Sequence, residues 1–221
     1  MTSGSKTLLF LLSLSLPCWA NAQDPEARAA GSSAPEAQAL ISSLARPAPA
    51  RTPFAEARFM KVLEQPLVVS GELGWLGGDQ LERRVDKPQK ETATIADGEV
   101  TTQREGRKPR SFSLKRAPQL QVLLESFVAL LGGDAARLNQ AFDVRHEAHA
   151  GGWMLTLTPR DTRVAKTIAG IQIDGHGNEP RCILMQEADG DLAVDLLGEL
   201  AARMPAAPTR DTLAALCKGG G

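Results

Sequence analysis

Pro118-Gln-Leu-Gln-Val-Leu-Leu-Glu-Ser-Phe-Val-Ala-Leu-Leu-Gly-Gly133 is the stretch on which the fold turns. Leu120, Leu123, Leu124, Phe127, Leu130 and Leu131 recur at helical spacing, Pro118 stands near the start, and Gly132-Gly133 supplies the stop. Asp134 then caps a shorter helix through Ala141. The flanks of this helix have a different punctuation. Upstream, the short runs Glu56 to Leu63, Leu67 to Trp75, Gln80 to Val85, Glu91 to Ile95, Val100 to Gln103 and Ser111 to Lys115 are parted by Gln65-Pro66, Gly77-Gly78-Asp79, Lys87-Pro88 and Asp97-Gly98. Downstream, Phe142 to Ala148, Trp153 to Thr158, Val164 to Asp174, Arg181 to Glu187 and Asp191 to Leu196 follow the same pattern. Turns are expected at Gly151-Gly152, Gly175-His-Gly-Asn178 and Asp189-Gly190. One leucine-rich helix between two series of strands is not βαβ alternation. It predicts a mainly β fold, a strongly curved antiparallel sheet or incomplete β-barrel, lidded by helices across its concave face.

The strands alternate. Gly71, Leu73 and Trp75 oppose Glu72; Leu81 and Val85 oppose Glu82, Arg84 and Asp86; Trp153, Leu155 and Leu157 oppose Thr156 and Thr158. One face of the sheet is therefore apolar and the other wet. Asp97-Gly98 is the strongest hairpin signal, since a tight primed turn needs positive φ. Leu196 to Met204 and Thr209 to Leu216 read as short helical pieces, with Lys218-Gly-Gly-Gly as a frayed end.

Composition bounds the function. The chain has 221 residues, 43% hydrophobic and 4% aromatic, with 25 Lys and Arg against 26 Asp and Glu, for a formal charge of −1. That is a globular composition for one domain with a tail or two small ones, and it excludes a collagenous or multi-span membrane protein. Near-neutral charge argues against nucleic-acid binding, which relies on net positive charge against phosphates.

Met1 to Ala22 opens with Lys6, continues through the apolar run Leu8 to Leu16, and ends on Ala20-Asn21-Ala22, the pattern of a secretory signal peptide cut between Ala22 and Gln23. Pro17 is a poor residue before a lipid-accepting cysteine, so Cys18 is read as part of the discarded peptide. Residues 23–53 form a flexible lead-in with one short helix around Pro35 to Ala45, carrying Leu40, Ile41 and Leu44. The main domain spans 54–204, and 205–221 form a C-terminal helical piece and flexible end. Export to an oxidising compartment makes a Cys182–Cys217 disulfide the favoured state, one that would stabilise by about 3 to 4 kcal/mol. A redox or metal pair is the alternative; no Cys-x-x-Cys or histidine ligand spacing supports it, so no metal site and no cofactor is expected.

The run Phe54-Ala-Glu-Ala-Arg-Phe-Met-Lys-Val-Leu-Glu-Gln-Pro-Leu-Val-Val-Ser-Gly-Glu-Leu73 resembles the opening strands of the outer-membrane lipoprotein carrier family, the periplasmic LolA-like chaperones. Asp97-Gly98 resembles that family's hairpin, and Trp153-Met-Leu-Thr-Leu-Thr-Pro159 its tryptophan-to-proline strand. Leu131-Gly-Gly-Asp134 to Phe142 and Glu187-Ala-Asp-Gly-Asp191 are similar to a divergent branch often encoded beside envelope lipid or pigment export systems. The resemblance covers about Phe54 to Leu197. It implies a LolA-like half-barrel in the periplasm that carries acyl chains of a lipoprotein or lipid cargo, as a monomer, between an inner-membrane exporter and an outer-membrane acceptor.

A carrier needs apolar side chains and no reactive ones. Phe59, Leu73, Trp75, Leu81, Phe112, Leu114, Leu123, Phe127, Trp153 and Leu155 are the candidates for its lining, and core packing is the alternative for each. The family's lipoprotein carriers place an arginine in a Lys-Arg-Pro segment that latches the lid. The corresponding segment here is Leu76-Gly77-Gly78-Asp79, with Arg83 and Arg84 nearby, as substitutes for it or as solvated charge. The basic segment Arg104, Arg107, Lys108, Arg110, Lys115 and Arg116 fits an anionic headgroup or acidic partner, or blunts a sheet edge.

Two other classes compete. An enzyme lacks support, with no Gly-x-Ser-x-Gly, His-Glu-x-x-His or Walker pattern, and the Glu187, Asp189, Asp191 group is explained by an Asp-Gly turn. A periplasmic adaptor of a lipid or pigment export system, with a packed core and no cargo, is the alternative to the carrier.

Overall fold

The computed structural model describes residues 34–219. The signal-peptide expectation, with its cleavage between Ala22 and Gln23, and the first part of the lead-in lie outside the described residues. The chain enters through helix α1 (Ala34–Ser43) and then forms six strands: β1 (Ala50–Phe59), β2 (Leu67–Gly77), β3 (Gln80–Lys87), β4 (Glu91–Ala96), β5 (Glu99–Arg104) and β6 (Arg110–Ser113). Helices α2 (Pro118–Leu131) and α3 (Ala135–Ala141) follow. Then come β7 (Phe142–His149), β8 (Gly152–Pro159), the single turn α4 (Thr162–Ala165), β9 (Ile168–His176), β10 (Glu179–Glu187), β11 (Leu192–Leu197) and α5 (Arg210–Cys217).

Alternating apolar residues, parted by residues that tolerate tight turns, drive the strands into one 11-stranded antiparallel sheet, ordered β6-β5-β4-β3-β2-β1-β11-β10-β9-β8-β7. β6 and β7 stand at its two edges, so the sheet is not closed. Among the described residues, the only pairing between strands far apart in sequence is β1 with β11, from Phe54↔Leu197 to Phe59↔Leu192, and it welds the two halves. Asp97 and Gly98 adopt φ of 54° and 74°, the primed-turn geometry expected between β4 and β5.

The apolar pattern of α2 explains the curvature. Leu124 and Val128, with Leu120, pack on Leu81, Ile95 and Val100 of β3, β4 and β5. Ala129 and Leu130, with Val122 and Leu123, belong to a second cluster built on Trp153, Leu155, Leu157, Ile171 and Ile173 of β8 and β9. A helix of 14 residues is about 20 Å long. β4 and β8 are seven strand steps apart, about 34 Å along a flat sheet. One helix joins both cores only because the sheet curls beneath it. Ile41 and Leu44 at the end of α1 fill the same cluster as Leu138 of α3, so three helices share this face.

The opposite face is covered near β1, β10 and β11. Ala57, Cys182, Val194 and Leu196 pack there against Leu200, in a 3-10 turn over Gly198–Arg203, and against Leu213 and Cys217 of α5. Three expected strand ends differ from the sequence reading, each for a local reason. Val164 and Ala165 sit in α4 because Asp161 accepts the Arg163 N–H at 2.7 Å. Leu114–Arg116 form a 3-10 turn in which the Ser113 hydroxyl accepts the Lys115 N–H. The strand expected to reach Leu63 stops at Phe59, and the Leu63 N–H donates to the Met60 carbonyl at 3.0 Å in a turn. Short polar side chains and tight turns compete with the ladder at each of these places.

Candidate functional site

The helix-covered face of the sheet, the trough beneath α2, carries three of the four apolar clusters. The ten lining candidates do not form one continuous wall there. Leu123, Trp153 and Leu155 join the β8–β9 cluster, with Leu155 fully buried. Leu81 and Leu114 join the β3–β5 cluster. Leu73 packs with Phe54, Val85 and Leu197 in the middle of the trough. Phe59 points to the other face, packed beside Val194 and α5, with the Arg210 guanidinium 5.6 Å from its ring centre. Phe112 is 39% exposed on the edge strand β6. Trp75 and Phe127 are half-buried and belong to none of the four clusters.

Close approach of backbone and ring fixes Trp153. Its register partner is Gly175, where a Cβ would lie 2.1 Å from the indole, and the indole N–H donates to the Gly177 carbonyl at 2.8 Å. Phe127 is placed differently. It stands four residues after Leu123 and three after Leu124, on the seam between the two apolar stripes of α2. Two grooves lie elsewhere. One of about 290 Å³ is lined by Glu125, Ser126, Arg137, Gln140 and Asp161, and one of about 230 Å³ by residues of β3, β4 and β5 including Arg84 and Glu91. None of the ten candidates lines either groove.

Sequence reasoning missed the charged group in the trough. Asp195 lies opposite Glu56 across β11 and β1 and opposite Ile183 across β11 and β10. Ile183 packs with the helix-covered cluster, so both carboxylates face α2's side of the sheet. Glu56 is only 7% exposed, and two arginines satisfy it: Arg58 Nε donates to Oε1 at 3.1 Å and Arg83 Nη2 to Oε2 at 2.5 Å. The Arg83 guanidinium also lies 4.8 Å from the Phe54 ring centre. Asp195 is pushed up to about 7, first by desolvation and then by the Glu56 charge, with Arg83 and Arg58 opposing. A sequence signal existed: Asp195 is the one charge in the apolar run Leu192 to Leu197, and Glu56 and Arg58 keep the phase of Phe54.

This group makes stability depend on pH. Because folding raises the Asp195 pKa above its ordinary value of 3.8, the folded state prefers the protonated acid. Its contribution is intact below pH 4, declines as pH rises above that, and is gone once pH has passed 7. Asp195→Asn removes the loss. The variant is expected to exceed the wild type by about 1 to 3 kcal/mol at pH 8 and to match it near pH 4, measured by urea unfolding at each pH. A constant difference across that range contradicts the assignment.

Leu76 and Gly77 end β2 and Gly78-Asp79 form the turn into β3; Gly77 and Gly78 take positive φ, and the Trp75 indole donates to the Gly78 carbonyl. Of the two nearby arginines, Arg83 faces the trough, while Arg84 faces away, within 3.4 Å of Glu72 and Asp86. Arg104 of the basic segment bonds Glu91, and Arg107, Lys108, Arg110, Lys115 and Arg116 are exposed along the β6 edge. The carboxylates of Glu187, Asp189 and Asp191 converge within 4.8 Å at the β10–β11 turn. There the Asp191 N–H donates to Asp189 and the Lys61 N–H to Asp191, bonds that organise the turn. Cys182 of β10 and Cys217 of α5 form a disulfide with Cα atoms 5.6 Å apart. Beside it Asp174 is fully buried and pushed up by that burial, with Gln172 donating to Oδ2 at 2.8 Å.

A family model described as outer membrane lipoprotein carrier protein LolA-like matches residues 29–220. By fold, the chain is similar to a LolA superfamily protein from Nitrosomonas europaea, at 12% identity and TM-score 0.42, covering 76% of this chain and 93% of that one. It is similar to a putative outer membrane lipoprotein-sorting protein domain from Vibrio parahaemolyticus, at 8% identity and TM-score 0.41, covering 84% and 100%. A third likeness is to LprF from Mycobacterium bovis, at 14% identity and TM-score 0.34, covering 79% and 97%. No curated protein matches the sequence.

Proposed function

This chain belongs to the LolA-like outer membrane lipoprotein carrier family, and on that premise we propose that it shields the acyl chains of a lipid or lipoprotein-like cargo while the cargo crosses the periplasm. The observation that carries the reading is the double engagement of α2. One 14-residue helix holds down both ends of an open sheet through separate apolar stripes, with Phe127 on the seam. Such a helix is a lid: lifting it bares apolar surface on both sides of the trough, and a hydrocarbon chain inserted beneath it replaces protein contacts with ligand contacts at small net cost. An inner-membrane exporter would load the trough and an outer-membrane acceptor would empty it. The role is binding and transfer, without chemistry on the cargo.

A packed adaptor is the second reading. It is favoured by the distribution of the lining candidates over four clusters and by their absence from both grooves. Native mass spectrometry of protein purified from periplasm without detergent, followed by solvent extraction, separates the two. The carrier reading expects a co-purifying lipid, pigment precursor or acylated protein. A clean apo mass together with no uptake of a neutral apolar fluorophore establishes the adaptor instead.

A further inference from the structure

We propose that Arg58 and Arg83, held by Glu56 beside Asp195 on the trough floor, seat the anionic head of an amphiphile whose tail lies along the apolar surface beneath α2. The inference rests on the carrier reading and adds the chemistry of the headgroup.

Three observations support it. First, the position is expensive for charge. β1, β2, β3, β10 and β11 offer Phe54, Val69, Leu73, Val85, Ile183 and Leu197 to this face, yet four ionisable residues share its centre. A sheet that only packed a helix would place apolar residues there. Second, the arginines have capacity to spare. A guanidinium has five N–H donors, and each of these uses one on Glu56 while its side chain remains 38% exposed for Arg58 and 35% for Arg83. Spare donors on partly exposed guanidinium groups fit a phosphate-type or sulfonate-type head. Third, the charge balance leaves room for an anion. Glu56 answers one of the two guanidinium charges, and no side chain among the described residues donates to Asp195.

Asp195 then links binding to protons. The charged groups facing it are Glu56 and Arg58 from β1 and Arg83 from β3, while β10 and β2 present the apolar Ile183 and Val69. The one ionisable residue of α2, Glu125, lines the groove toward Arg137 and Asp161. An anionic head arriving at the arginines repels a charged Asp195, so binding favours its protonated form and takes up a proton.

The test uses two pyrene-tagged dodecyl probes with identical tails, a sulfonate that stays anionic at every working pH and an alcohol, on the full mature chain between pH 6 and 8.5. The sulfonate is expected to bind about tenfold tighter than the alcohol at pH 6, with most of that advantage lost by pH 8.5. Asp195→Asn is expected to retain the advantage at pH 8.5, a gain that damage to the fold does not produce. Arg83→Gln is expected to bring the two probes within about twofold of each other while the alcohol still binds. Equal binding of both probes at all pH values overturns the headgroup seat and leaves the carrier reading intact. Binding of neither overturns both. Competition by millimolar inorganic phosphate as effective as by the tailed sulfonate also overturns the seat, because the tail is part of it.

Discussion

Replacing Phe127 with glutamate is expected to abolish uptake of a neutral apolar fluorophore and to lower stability by less than about 1 kcal/mol. The two effects separate because of where the ring stands. Residues that hold α2 to the sheet, such as Leu124 and Leu130, are buried within clusters, whereas Phe127 is half-buried on the seam and a member of none. A charge on the seam leaves both stripes of α2 docked, and its own carboxylate can turn to water. The same charge lies where a hydrocarbon chain would run, and burying it unpaired beside such a chain is prohibitive. Leu155→Ala is the contrasting case. Its side chain is fully buried among Trp153, Ile173 and Phe142, so truncation is expected to destabilise by about 2 to 5 kcal/mol. The measurement pairs probe titration with urea unfolding for both variants. A loss of stability in Phe127→Glu as large as that in Leu155→Ala shows that the ring is core and that α2 is no lid.

The separation between Phe127 and Leu155 was not visible in the chain, and the reason is physical. Period-2 alternation states which face of its own strand a residue occupies, and helical period states which stripe; neither states what lies across from it. Strand positions were legible because Asp97-Gly98, Gly77-Gly78 and the prolines punctuate the runs, and α2 because its leucines recur between Pro118 and Gly132. The β1–β11 pairing was not. It joins residues far apart in sequence, and no local pattern encodes a partner. That same pairing sets Asp195 opposite Glu56 and turns two unremarkable acids into the polar centre of the trough. Arg83 and Arg84 show the limit most plainly. As neighbours in one strand they look alike, and only the register shows that one reaches a buried carboxylate inward while the other meets Glu72 outward. Phe59 and Phe112 show the same limit. The phase of β1 directs Phe59 to the face that α5 covers, and Phe112 stands opposite Val100 on the edge strand β6, 39% exposed.

Loss of the Cys182–Cys217 disulfide is expected to destabilise the protein by about 3 to 4 kcal/mol, through the freedom it returns to the unfolded chain across a sequence separation of 35 residues. The structure says where that loss first appears. α5 has only eight residues, too few to persist alone in water, and it stays folded because Leu213 is fully buried, Thr209 and Thr212 cap each other, and Cys217 is tied to β10. Without the tie, α5 detaches before the sheet melts and bares Val194, Leu196 and Leu200 on the face away from the trough. Amide exchange in the Cys182→Ser, Cys217→Ser double variant should therefore accelerate in 210–217 well before β8 and β9. The trough lies on the other face, so probe uptake at temperatures where the sheet is intact should be unchanged. Thiol labelling of the unreduced, denatured chain from Gln23 onward fixes the starting point: no free cysteine is expected, and full labelling removes the premise. A urea midpoint unmoved by the double substitution would show instead that α5 is held by Leu213 and its cap alone, with the covalent tie contributing nothing to the fold.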